Sequence, residues 1–175
     1  MSRNAFSVIV LLFLATCIGA PPALAQYMYL DSNGDGIHTA ADVLNGVGTT
    51  QIDIWLRTNH QRDGSVAVCS TGEPYTFNSY SVILRATEGS VSWIDKTNLQ
   101  PTCTLAVLEG MSPTELFFGY VGAAILPPGD FLLARVSVAV LSGTPTIAIV
   151  PTSTLDARAL TCFGPAVLGP SSPTR

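Results

Sequence analysis

The chain has 175 residues, with eight Lys and Arg against twelve Asp and Glu; its residues are 47% apolar and only 11% charged. So few basic groups exclude the phosphate-binding patch that nucleic acid or an anionic membrane surface requires. The same composition excludes disorder and calls for a well-buried core.

In chain order the first element is an export leader, residues 1–25. "MSRN" carries one positive charge at Arg3, Ala5 to Ala15 form a short apolar run, and "ALA" at Ala23 to Ala25 has the small-x-small pattern of a cleavage site before Gln26. That run is too short to span a bilayer, and no later segment is long enough. "LATC", Leu14 to Cys17, offers a second reading as a lipoprotein site with the lipid on Cys17, although Thr16 fits such a site poorly. Secretion or display at the cell surface is the expected location. Cleavage leaves 150 of the 175 residues, the size of one domain. Without Arg3, seven basic residues face twelve acidic ones, a net charge of −5.

Residues 26–48 carry the most distinctive pattern. Counting Asp31 as position 1 of "DSNGDGIHTAAD" puts Asn33 at 3, Asp35 at 5, Gly36 at 6, Ile37 at 7, Thr39 at 9 and Asp42 at 12. This is the ligand spacing of an EF-hand-type calcium loop. Calcium is a hard cation that takes about six to eight oxygens, and short Asp and Asn side chains at alternate positions can converge on one point. Gly36 permits the left-handed backbone the curl needs. Ile37 would offer its carbonyl, Thr39 would act through water, and Asp42 would close the shell from a short helix, "TAADVLNG", capped by Thr39 and ended by Gly46. The loop resembles the loop-and-helix half of a dockerin repeat. Two departures separate it from that family: His38 stands at position 8, and the motif occurs once rather than twice. Recognition of a cohesin is therefore not implied. The expected role of Ca2+ is a structural clip.

Residues 49–164 read as strand almost throughout. Thr50 to Arg57 alternates Ile52, Ile54 and Leu56 with Gln51, Asp53 and Arg57. Further strands are expected at Tyr80 to Thr87, Ser90 to Ile94, Thr104 to Leu108, Glu115 to Val121, Phe131 to Leu141, Thr146 to Val150 and Ala159 to Phe163. Turn signals separate them at 62–65, 88–89, 127–130 and 142–143. Short strands between Gly and Pro turns, with connections of uneven length, predict an all-β jelly-roll or Greek-key β-sandwich. The layout of "IDIWLRT…SYSVILRATEGSVSW…ELFFGYV…FLLARVSVAV…TIAIVP" is similar to cohesin-like modules of bacterial secreted scaffolds and adhesins. Residues 165–175 form a Pro- and Ser-rich tail expected to fray. In an exported chain, Cys69, Cys103 and Cys162 predict one disulfide and one thiol, with Cys69–Cys103 as the expected pair.

Catalytic chemistry finds little to work with. His60, Asp63 and Ser65 share one polar turn, which is not how a triad is assembled. Asp63 and Asn59 are instead candidates for a second, looser cation site. Glu73, Glu88, Glu109 and Glu115 sit beside turns or at strand starts, where solvated carboxylates are ordinary, and Asp53 reads as solvent-facing. Phe77 and Trp93 read as core. The expected function is a non-enzymatic, calcium-stabilised module for adhesion, surface assembly or scaffolding, with an extracellular or cell-surface protein or a polysaccharide as partner. The alternative is a carbohydrate-binding module of the same fold, stacking sugars on Trp55 or Tyr75.

Overall fold

A computed structural model describes residues 27–68 and 72–155. The leader, Cys17, Cys69, Cys162, the expected strand at 159–163 and the tail lie outside the described residues. Six strands follow in order: β1 Tyr27–Asp31, β2 Thr49–Arg57, β3 Phe77–Asn98, β4 Leu105–Ser112, β5 Glu115–Leu126 and β6 Asp130–Ile149. All neighbours are antiparallel, in the order β1-β2-β6-β3-β5-β4.

Two of these strands are far longer than expected. β3 runs for 22 residues and β6 for 20. Each absorbs two of the anticipated strands, because the "EG" and "SG" signals mark bends rather than turns. Glu88 has a φ of 61° and Gly143 a φ of 72°, and the β3–β6 register shifts at this point, where Gly89 faces Gly143. A bulge of this kind bends a strand sharply without ending it. The bend lets one ribbon serve two layers. Residues 130–139 of β6 pair with β2, whereas residues 77–85 of β3 pair with β5.

The core lies between the layers. Leu30, Ile52, Ile54, Leu133 and Val136 meet Phe77, Val82, Leu84, Phe118 and Ile147 in one buried cluster. The alternation in β2 follows expectation, with Ile52, Ile54 and Leu56 inward. The Tyr80 hydroxyl ties the layers together, lying 2.7 Å from Asn98 Oδ1 and 3.0 Å from the Leu133 carbonyl. Burial, with Tyr120 and Cys103 nearby, pushes its pKa above the usual tyrosine range.

Two expectations need correction. No α-helix occurs among the described residues; Thr39 to Asp42 form a single turn, closed by the Asp42 N–H donating to the Thr39 carbonyl at 3.2 Å, and the chain to Gly46 has no regular structure. One or two turns of helix gain too few hydrogen bonds to offset nucleation, and the Asp42 carboxylate is taken by loop N–H groups instead. The disulfide expected at Cys103 is not present there, and its expected partner Cys69 lies outside the described residues. Cys103 is a free, buried thiol that donates to the Asn78 carbonyl at 3.4 Å, and burial raises its pKa.

Candidate functional site

The acidic loop leaves β1 at Asp31 and folds back over the outer face of the β1–β2 ladder. Tyr29 and Trp55 are register partners on that face, with rings stacked at 6.3 Å. The Tyr29 hydroxyl donates to the Gly36 carbonyl at 2.8 Å, which fixes the tip of the loop. Gly36 holds a φ of 80° at this point, the left-handed conformation the spacing anticipated.

Asp31 and Asp42 are the two buried members, 1% and 3% exposed. Asp31 Oδ1 accepts from Gly34 N at 2.7 Å and Asn33 N at 3.1 Å, and Oδ2 from Gly36 N at 2.7 Å. Asp42 Oδ1 accepts from Ser32 N at 2.6 Å and Asn33 N at 3.2 Å, and Oδ2 from Thr39 N at 2.7 Å. Both carboxylates therefore converge on one N–H, that of Asn33. Burial raises the Asp42 pKa, but the N–H groups of Thr39, Ser32 and Asn33 and the nearby His38 outweigh it and hold the carboxyl below its usual range.

The remaining expected ligands lie further out. Asn33 and Asp35 are exposed and bonded to each other, Asn33 Nδ2 donating to Asp35 Oδ2 at 3.0 Å. Asp35 Oδ1 also accepts from Ile37 N at 2.9 Å, and the Thr39 hydroxyl accepts from Ala41 N at 3.2 Å. Among the described residues no three His, Cys, Asp or Glu side chains gather as a ready metal cage. Neither Asp31 nor Asp42 has an Arg or Lys ion pair among the described residues, and His38 Nδ1 stands 3.6 Å from Asp42 Oδ2. Two buried carboxylates sharing a donor leave negative charge that N–H dipoles only partly offset.

The other sequence candidates are placed elsewhere. Asp63 is held by Ser65, whose N–H and hydroxyl donate at 2.9 and 2.6 Å, and that hydroxyl lowers the Asp63 pKa. His60 instead sits in a β-bridge with Val66, so the turn gathers no triad. Tyr75 is 4% exposed, and the half-buried Trp55 ring stacks on Tyr29. Burial closes Tyr75 to sugar stacking, and Trp55 has one face against Tyr29.

Two acidic residues expected in solvent are buried. Asp53 receives Arg135 through Nε at 2.6 Å and Nη2 at 2.8 Å. Glu115, fully buried, binds Arg85 and the backbone and hydroxyls of Ser153 to Leu155. An acidic residue directly opposite a basic one across a ladder was the available signal, but it needs the strand register, which the sequence does not display.

No protein-family model matches this chain, and no curated protein does. Solved structures do. The sixth cohesin from scaffoldin B of Acetivibrio cellulolyticus, determined in complex with a mutant Cel5 dockerin, is 10% identical; the match covers 84% of this chain and 96% of that one, with a TM-score of 0.50. The second type II cohesin module from the adaptor ScaA scaffoldin of the same organism is 12% identical, with 84% and 85% covered and a TM-score of 0.43. At such identity the first match speaks to architecture alone, and that architecture is the cohesin-like β-sandwich.

Proposed function

We infer that this chain is an exported, non-catalytic β-sandwich module, stabilised by calcium and used for adhesion, surface assembly or scaffolding. The observation that carries the calcium reading is the convergence of the buried Asp31 and Asp42 carboxylates on the Asn33 N–H. Asn33 and Asp35 are exposed and would exchange the bond between them for the ion, with the Ile37 carbonyl and Thr39 completing the set. Bound calcium supplies charge that holds these oxygens together. Asp31 ends β1 and Asp42 precedes β2, so the ion clips the first strand to its neighbour.

Scaffolding is supported by the fold, since the solved neighbour at a TM-score of 0.50 is a cohesin of a scaffoldin, captured with a dockerin. A protein partner outside the cell is the corresponding reading for this chain. A non-catalytic role is supported by the scarcity of candidate chemistry: Asp53, Asp63 and Glu115 are each committed to structural partners.

Calcium titration of the leaderless chain tests the reading. Calorimetry is expected to register binding with a dissociation constant of about 10⁻⁴ to 10⁻³ M or tighter. At a hundredfold excess over that constant, unfolding becomes harder by about 2.7 kcal/mol. Asp31→Ala removes both effects. Absence of heat, with melting indifferent to chelator, overturns the reading.

A further inference from the structure

Beside the acidic loop, outside the expected ligand set, lies a half-open cleft of about 260 Å³ lined by Tyr27, Tyr29, Ile37, His38, Arg57 and Arg62. Its two arginines are in different states. Arg57 is neutralised by Asp130, with Nε–Oδ1 and Nη2–Oδ2 both at 2.9 Å, and donates through Nη1 to the Tyr27 hydroxyl at 3.0 Å. Arg62 lies over the Tyr27 ring, 5.4 Å from its centroid, and makes no ion pair among the described residues. The cleft thus holds one uncompensated positive charge in a chain whose net charge is −4.

The remaining walls narrow the chemistry. Burial pushes the Tyr29 pKa up to about 12, and its hydroxyl is committed to Gly36, so that ring is a fixed wall. His38 places Nδ1 2.8 Å from the Leu30 carbonyl, which requires the proton there and leaves Nε2 as an acceptor when the ring is neutral. Both guanidiniums lie over the Tyr27 ring, Arg57 at 5.8 Å and Arg62 at 5.4 Å, so the half-exposed Ile37 supplies the open apolar surface. One free guanidinium matches one carboxylate in a forked pair, whereas a phosphate dianion wants more charge than a single Arg supplies. The volume, at the low end for ligand pockets, suits a single ring with its substituents.

We propose that this cleft binds a carboxylate-bearing sugar ring, a hexuronate, with the carboxylate on Arg62 where it lies over Tyr27, a ring hydroxyl on His38 and the C–H face against Ile37. The site extends beyond the calcium reading, and only Ile37 and His38 belong to the loop. The two therefore fail separately: calcium binding is read by heat on calcium titration, the cleft by a ligand that carries no metal.

The test is an NMR titration of the leaderless chain in calcium-free buffer with methyl glucuronide. Methyl glucoside serves as the ring without the charge, and acetate and inorganic phosphate as the charge without the ring. Methyl glucuronide is expected to shift resonances of Tyr27 and His38 and to bind about tenfold or more tightly than the other three. Arg62→Gln, at an exposed position, is expected to keep its melting temperature and lose that tenfold preference over the glucoside. Equal binding of acetate or phosphate, an unchanged preference in Arg62→Gln, or no shift at about 10 mM methyl glucuronide overturns the proposal.

Discussion

Arg85 and Glu115 are register partners on β3 and β5, and the guanidinium donates to Glu115 Oε2 through Nε at 3.1 Å and Nη2 at 2.8 Å. The same guanidinium bonds the Thr152 carbonyl at 2.6 Å, and Glu115 accepts from Thr154 N at 2.9 Å and Leu155 N at 3.3 Å. One ion pair thereby fastens the segment after β6 to the start of β5.

Glu115→Gln keeps the shape but removes the charge that organises these donors. Because Arg85 is partly exposed, the expected loss is about 2 to 3 kcal/mol, measured by urea unfolding. Burial raises the Glu115 pKa, yet the Ser153 hydroxyl, the Thr154 N–H and Arg85 bring it down to about 2. A carboxyl depressed in the folded state stabilises fully above its unfolded pKa, here the ordinary 4.5, and that contribution is lost as the pH falls from there toward 2. The stability gap between the native chain and Glu115→Gln should therefore shrink across this window.

The bend where β3 meets β6 depends on Gly143. Its φ of 72° disfavours any side chain, and an added Cβ would stand 2.5 Å from the Glu88 carbonyl oxygen. Gly143→Ala is expected to destabilise by about 2 kcal/mol or more. Gly46, with no positive φ and nothing within 4 Å of an added Cβ, provides the contrast. Gly46→Ala should be neutral or stabilise by up to about 1 kcal/mol. Equal losses in the two variants would show that the bend is not where the strain lies.

The two tryptophans make a matched pair. Trp93 Nε1 donates to the Ser112 carbonyl at 2.9 Å, whereas Trp55 Nε1 is buried without a partner among the described residues. Removing a satisfied donor strands a carbonyl, while removing an unsatisfied one relieves a desolvation cost. Trp93→Phe is expected to lose about 1 to 2 kcal/mol more than Trp55→Phe in chemical denaturation. Similar losses would mean that the indole N–H groups do not decide the difference.

Much of the fold was legible. β2 announced itself by the alternation of Ile52, Ile54 and Leu56, and the layout from Thr50 onward gave the sandwich class. What escaped was long-range. Glu88-Gly89 and Ser142-Gly143 carry the same residues whether a strand stops or bends, and only their position opposite each other decides. Glu115 was misplaced in solvent because its C-terminal partners lie 38 to 40 residues away in sequence. In the acidic loop the turn at Gly36 was readable from spacing. The helix was not realised, because Asp42 spends its carboxylate on N–H groups of Ser32 and Thr39 rather than standing at a helix start.

A ribbon that passes uninterrupted from one layer to the other couples the registers of the two layers. Sliding β3 by one residue against β5 would turn its side chains inside out there and, through the same backbone, against β6 as well. Each half thus proofreads the alignment of the other.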